Sequence, residues 1–318
     1  MDEKILITGA AGQLGTVLTE ALIKKYGPQK IVASDINNIS EFGCNFEVLD
    51  ATDMAEINRI VIKYRITQIY HLAAILSAKG EQNPLSTWDI NQKSFFNVLE
   101  CAKDNKLNKV FFPSSIAVYG NSAPKIKTPQ SAFLNPSTVY GMSKASGEQW
   151  AQYYSSKYGL DVRSLRYPGI IGYQSSPGGG TTDYAIEIYH SAVKEQPFVC
   201  YLNEGTRLPM IFIYDAIRAT LELMEARKEN LVLRSSYNLQ GISFAPKEII
   251  ESIKKYYPDF NVIYKPDFRQ EIAETWPQSM DDTNAREDWG WIPSYSLADI
   301  TMEMITQIRN IYEAKNAF

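Results

Sequence analysis

The sequence predicts an α/β protein, a doubly wound parallel sheet with a smaller α/β lid, and three observations predict it. Short apolar runs of strand length alternate with helix-length segments over the first half of the chain. The first run, Ile5-Leu6-Ile7, opens into glycines at 9, 12 and 15. The runs are apolar throughout instead of alternating, as strands covered on both faces must be.

In order, Ile5-Leu6-Ile7 leads through the glycines into an amphipathic helix over 13–26, and "KIVASD" forms a second strand ending at Asp35. "CNFEVLD" runs to Asp50, and Thr52 is expected to cap a helix over 53–64. "ITQIYHLAA" starts at Ile66, a long helix covers 84–105, and "KVFFPSS" follows. A helix then holds "YGMSKASGEQWAQYYSSKYG", and "DVRSLRYPGIIG" reads as the next strand. After Gly172 the glycine-rich "YQSSPGGGTTDY" is too long for a plain connector. "PMIFIYDAIRATLELMEA" returns to strand and helix, and the remainder breaks into shorter segments punctuated by Pro and Trp, with no internal repeat. The expected division is a dinucleotide-binding domain over 1–168, to which 207–230 returns, and a discontinuous substrate-binding lid over 169–206 and 231–318.

Composition narrows the function. The 318 residues are 45% apolar and 21% charged, enough for a full core. The 32 basic and 36 acidic residues are interleaved, for a net charge of −4, with no basic block for nucleic acid. Cys44, Cys101 and Cys200 are scattered, and His71 and His190 are the only histidines, so no metal is expected and free thiols in a reducing compartment are. No leader and no apolar run approaching the ~18 residues of a membrane helix is apparent, which points to a cytoplasmic protein.

Gly9, Gly12 and Gly15 stand where a side chain would hinder the tight turn, the approach of a pyrophosphate and the packing of helix on strand. Asp35 falls twenty residues after Gly15, where a carboxylate accepts both adenosine ribose hydroxyls and repels a 2′-phosphate; NAD is favoured over NADP, a plain strand-end Asp being the alternative. Tyr140 and Lys144 share a helix face, so an ammonium can lower the phenol's pKa toward that of a working base. Ser114-Ser115 follows a strand where a hydroxyl could meet the same substrate oxygen, or simply cap a turn.

On these residues, with Asp50-Ala51, "HLAA" at 71–74, Asn91, "PSSIAVYG" at 113–120 and "RYPGIIG" at 166–172, the chain resembles the extended short-chain dehydrogenase/reductase family over nearly its whole length. The resemblance implies a Rossmann sheet with Tyr140 as base, Lys144 as its electrostatic partner and ribose ligand, and Ser115 as hydrogen-bonding helper. It assigns the cofactor to Gly9, Gly12, Gln13, Leu14, Gly15, Asp35, Asn37, Asp50, Ala51, Leu72, Ala73, Ala74, Asn91 and Tyr167, together with Tyr140 and Lys144, and sets Pro168 beside the nicotinamide. His71 reads as core.

Departures restrict the substrate. Ile116-Ala117 follows Ser115 where dehydratases carry an acidic pair, Pro168 stands where galactose-type epimerases have Asn, and "YQSSPGGGTTDYAIEIYH" offers no lysine or arginine for a nucleotide diphosphate. Residues 167–193 and "ETWPQSMDDTNAREDWGW" at 274–291 resemble the epimerase-like L-threonine 3-dehydrogenase branch. That resemblance implies oxidation of L-threonine to 2-amino-3-ketobutyrate without metal, with Ser77, Ser115, Tyr140, Thr181, Thr182 and Trp276 as substrate contacts. N-capping is the alternative for the threonines and lid core for Trp276. The rival readings are a nucleotide-sugar epimerase or reductase and a non-catalytic NAD sensor. The family also implies a homodimer through the helices near 84–105 and 140–158.

Overall fold

The computed structural model describes residues 3–38, 42–175 and 177–316. Its strands are β1 (Ile5–Thr8), β2 (Ile31–Asp35), β3 (Asn45–Val48), β4 (Gln68–His71), β5 (Lys109–Ser115), β6 (Val162–Tyr167), β7 (Gly169–Ile171), β8 (Phe198–Cys200), β9 (Leu208–Phe212), β10 (Tyr237–Asn238), β11 (Ile242–Phe244) and β12 (Val262–Tyr264). The large sheet has seven strands in the order β10-β6-β5-β4-β1-β2-β3, every neighbouring pair parallel. This is the doubly wound Rossmann architecture. The strand order reverses between β1 and β4, and the crevice at the carboxyl ends of those strands is where such sheets take ligands.

Side-chain alternation explains why the strands read as unbroken apolar runs. Ile5 and Ile7 face one core layer with Leu165, whereas Leu6 faces the other with Ile69 and Val110, and all are fully buried. Each layer is closed by helices. Helices α1 (Gln13–Tyr26) and α7 (Ile213–Glu225) pack on one side; α2 (Met54–Tyr64), α4 (Pro84–Asp104) and α5 (Val139–Tyr158) pack on the other, with the single turn α3 (Ser77–Gly80) between β4 and α4. Glycines end the first and fifth helices: Gly27 (φ 86°) and Gly159 (φ 73°) adopt positive φ, and each amide bonds the carbonyl four residues back. Thr138 opens α5, its hydroxyl accepting from the Gly141 amide at 3.0 Å.

Three expectations change. Asp53, not Thr52, caps α2, because its carboxylate accepts from the Ala55 and Glu56 amides while the Thr52 hydroxyl is spent on Asp50. "DVRSLRYPGIIG" is two strands in two sheets. Pro168 has no N–H to continue the β6 ladder, so the chain turns there and β7 joins β9 and β11 in a three-stranded sheet. β9 therefore belongs to that small sheet, with α7 alone of the 207–230 stretch packing back on α1 and β6, and β10, placed in the lid from sequence, completes the large sheet beside β6.

The rest of the chain forms α6 (Tyr184–Val193), a parallel pair of β8 and β12, and helices over Pro246–Lys254, Phe268–Thr275, Thr283–Trp289 and Leu297–Asn316. Buried Arg163 ties α7 to β6: it pairs with Asp161 at 2.8 Å and donates to the carbonyls of Leu223, Met224 and Ala226 at the end of α7. Among the described residues, no group of three or more His, Cys, Asp or Glu is placed to hold a metal ion, and no helix is long and apolar enough to cross a membrane. Cys101 and Cys200 are buried free thiols and Cys44 is a half-buried one.

Candidate active site

The glycines divide their tasks. Gly9 (φ 72°) makes the turn, and a Cβ there would lie 2.6 Å from the Ala73 amide nitrogen; a Cβ on Gly15 would lie 2.3 Å from the Gly9 carbonyl oxygen. Both are demanded by the protein's own packing. At Gly12 a Cβ would meet nothing nearer than the Gly9 carbonyl, at 3.4 Å. The missing side chain there leaves the amino end of α1 bare toward the cleft, the cradle that a dinucleotide's pyrophosphate requires. Asp35 ends β2 with one carboxylate oxygen accepting from the Ala11 amide at 3.1 Å and the other from the Asn37 amide at 3.1 Å. The glycine loop and the end of β2 are thus one bonded unit.

A cleft of about 400 Å³ runs from this loop to the small sheet. Among the residues lining it are Gly9, Gly12, Gln13, Leu14, Gly15, Leu72, Ala74, Ser77, Ser115, Tyr140, Lys144, Tyr167, Thr181, Thr182 and Trp276. Thr138 starts α5 two residues before Tyr140, which carries the phenol and the Lys144 amine to the end of β5. The Lys144 ammonium lies 4.6 Å from the centre of the Phe112 ring and 5.5 Å from that of Tyr140. Burial lowers the Lys144 pKa to about 7 and raises that of the Tyr140 phenol to about 12, with a hydrogen bond from Ser115 pulling the phenol the other way. In the chain by itself the phenol's net shift is upward, because desolvation is the largest influence on it.

Beyond Tyr140 the cleft is closed by the segment after β7. The Ser77 and Thr181 hydroxyls lie 3.2 Å apart, and the Thr181 amide donates to Ser77 at 3.3 Å. Thr182 packs where a Cβ on Gly169 would stand. The two threonines do not cap α6; Asp183 precedes it and accepts from the Gly179 and Gly180 amides at 2.9 and 2.8 Å, which folds the glycine loop over the cleft. Asp183 lines the cleft, a position that sequence reading missed. Burial raises its pKa. Trp276 is buried, and its indole N–H has no partner, as is true of the Ser175 hydroxyl, which also lines the cleft.

Several expected cofactor residues stand off the cleft. Asn37 donates to Asp35 from both its amide and its side chain. Asp50 is exposed and holds Thr52, while Ala51 is buried with its carbonyl accepting from Asn97. Ala73 lies beneath Gly9. Asn91 is a splint: its side chain both accepts from the Ile75 amide and donates to the Ile75 carbonyl, and it also donates to Ser143 on α5. His71 is core, as expected, bonded to Thr8 at 2.9 Å and held neutral by burial with a pKa lowered to about 3.

A model of the NAD dependent epimerase/dehydratase family matches residues 5–239. An uncharacterized epimerase/dehydratase of Staphylococcus saprophyticus is 42% identical, covering 98% of this chain and 99% of its own. Among solved structures, a partial consensus L-threonine 3-dehydrogenase is 47% identical with a TM-score of 0.96, covering 96% of this chain and 99% of its own. The holo form of a GalE-like L-threonine dehydrogenase from Cupriavidus necator is likewise 47% identical, with a TM-score of 0.95 and the same coverage.

Proposed function

The chain belongs to the NAD dependent epimerase/dehydratase family, and from that premise we propose that it oxidises L-threonine at its side-chain carbon, giving 2-amino-3-ketobutyrate and NADH. One observation carries the choice of substrate: among the described residues that line the cleft, only Lys144 and Asp183 are charged. A sugar nucleotide needs several basic groups around its diphosphate, whereas a small zwitterion needs one or two polar anchors. The likeness to two L-threonine dehydrogenases supports the same reading.

NAD, the cofactor of this family, supplies the hydride acceptor. The loop shaped by Gly9 and Gly15 would receive its pyrophosphate at the bare amino end of α1 by Gly12, Asp35 its adenosine ribose and Lys144 its second ribose. Tyr140, as phenolate, takes the proton of the threonine hydroxyl, and the Ser115 hydroxyl, turning its one proton from the phenol to the same oxygen, holds it in reach. Asp183 offers the negative charge for the substrate ammonium. The unpartnered Trp276 N–H, with the Ser77, Thr181 and Thr182 hydroxyls, holds the carboxylate end, and the folded glycine loop excludes water.

The test is NADH formation with NAD and L-threonine, set beside a panel of UDP-sugars. Threonine-dependent reduction with no conversion of the sugars is the expected result; conversion of a UDP-sugar with no threonine oxidation replaces the reading with the epimerase one.

A further inference from the structure

A buried set of charge-assisted bonds fastens α5 to β5 and β6, which carry Ser115 and Tyr167. Glu148 lies four residues beyond Lys144 and eight beyond Tyr140 on α5. One of its oxygens accepts from the Ser114 hydroxyl at 2.5 Å and from Arg166 Nε at 2.9 Å, and the other from Arg166 Nη2 at 2.7 Å. The two charged side chains are 2% and 5% exposed, and neither lines the cleft. Ser114 directly precedes Ser115 on β5, and Arg166 directly precedes Tyr167 on β6.

We propose that Glu148 is a positioning residue of the site: gripped by Arg166 and accepting from Ser114, its carboxylate sets the register of α5 on β5 and so brings the Tyr140 phenol to the Ser115 hydroxyl. The apolar contact between the two elements cannot do this alone. Gly147 presents no side chain where the Phe112 ring lies, since a Cβ there would be 2.4 Å from the ring, so the helix rests on a smooth face, and apolar burial has no direction. Hydrogen bonds have one, and a pair of buried charges restricts sliding further, because a slip that parts them strands a charge out of water. A carboxylate that made only a fold-holding ion pair with Arg166 would not need the third bond to Ser114. The consequence for chemistry runs through Ser115, whose bond favours the ionised phenol.

This inference rests on Tyr140 being the base, and its test is chosen to survive failure of the threonine reading. In Ser114→Ala the Glu148–Arg166 pair keeps its own bonds while the link to β5 is lost. Ionisation of Tyr140 is followed in the NAD complex by the near-ultraviolet absorbance of tyrosinate, as the difference between each protein and the same protein carrying Tyr140→Phe. No substrate is involved. Losing a hydrogen bond's hold should raise the pH of ionisation by roughly 0.5–1 unit. With threonine, kcat should fall about tenfold at neutral pH, its acid limb moving with the ionisation, while the KM for NAD stays put. Glu148→Gln loosens the same register from the helix side and should shift ionisation upward as well, which keeps the test open should Ser114→Ala not fold. Asp161→Asn is the control: it weakens the other buried ion pair of the sheet and should lower the melting temperature without moving the ionisation. If Tyr140 ionises at the parent pH in the folded variants of Ser114 and Glu148, or if Asp161→Asn moves it equally, Glu148 is a stability element and the proposal fails.

Discussion

The Lys144 ammonium stands 5.5 Å from the centre of the Tyr140 ring, one helical turn along α5. Proximity alone suggests that the charge eases the phenol's ionisation. Burial opposes both charges, though, with the amine brought down to about 7 and the phenol up to about 12. Near neutral pH the amine is only partly charged, and Ser115 is the group of this chain that favours phenolate. The remaining help must come with the cofactor, whose oxidised ring is positive.

Turnover should accordingly rise with pH as Tyr140 gives up its proton. Tyr140→Phe keeps the packing and loses the phenolic oxygen, so kcat should fall by about 10²–10⁴ with the affinity for NAD nearly unchanged. Steady-state kinetics across pH, with NAD binding followed by fluorescence, check both.

Asp35→Asn is a sharper probe of cofactor choice than Asp35→Ala. The carboxylate also receives the Ala11 amide at 3.1 Å, and Ala would leave that donor of the glycine loop unpaired, whereas Asn retains an acceptor and loses the charge that repels a 2′-phosphate. The parent should use NAD far better than NADP, and Asp35→Asn should narrow the ratio of kcat/KM between them. Equal use of both cofactors by the parent would show the carboxylate to be misplaced.

Trp276→Phe removes the unpartnered N–H together with part of the buried ring. It should raise the KM for threonine several-fold and spare the affinity for NAD, and Thr182→Ala should act in the same direction. Threonine titrations at saturating NAD decide this; parent-like constants in both variants would take these residues out of the substrate site.

Acid should destabilise the fold through His71. Its pKa is lowered by burial from the ordinary 6.5 to about 3, so the unfolded chain binds the proton more readily between those values. The stability due to the neutral ring is complete above 6.5 and is lost as pH falls toward 3, by about 1.4 kcal/mol per pH unit. His71→Asn should flatten the fall of the urea midpoint over that range.

Trp88 on α4 and Met142, Trp150 and Tyr153 on α5 are exposed apolar side chains on a packed helix pair. They fit the homodimer implied by family resemblance. Light scattering should give twice the chain mass at micromolar concentration, and Trp150→Glu should halve it.

What was legible in the sequence is what is local. Three glycines behind a strand, and a phenol and an amine four apart on a helix, state their geometry in their spacing, and the cleft gathers them. Asp183 was missed because an aspartate ahead of a helix looks like an ordinary cap, and only the folded loop turns it toward the cleft. The break at Pro168 lay in plain view, but the apolar residues on either side read as one strand. Asn91 was placed on the cofactor because its motif marks the site, while its bonds reach Ile75 and Ser143 across the fold. The bonds among Ser114, Glu148 and Arg166 join separate elements, and no spacing in the sequence announces them.

The place of β10 bears on how the protein is made. The last strand of the large sheet comes from Tyr237–Asn238, long after β6 has left the ribosome, and the carbonyls that receive Arg163 lie at 223–226. A nascent chain ending near 168 presents β6 as an open edge with two arginines, 163 and 166, short of partners they will later bury. This stretch thus takes its last edge strand, and part of the bonding of both arginines, from later in the chain. It must wait for the middle of the chain, and a fragment of residues 1–168 should aggregate where the whole chain stays in solution.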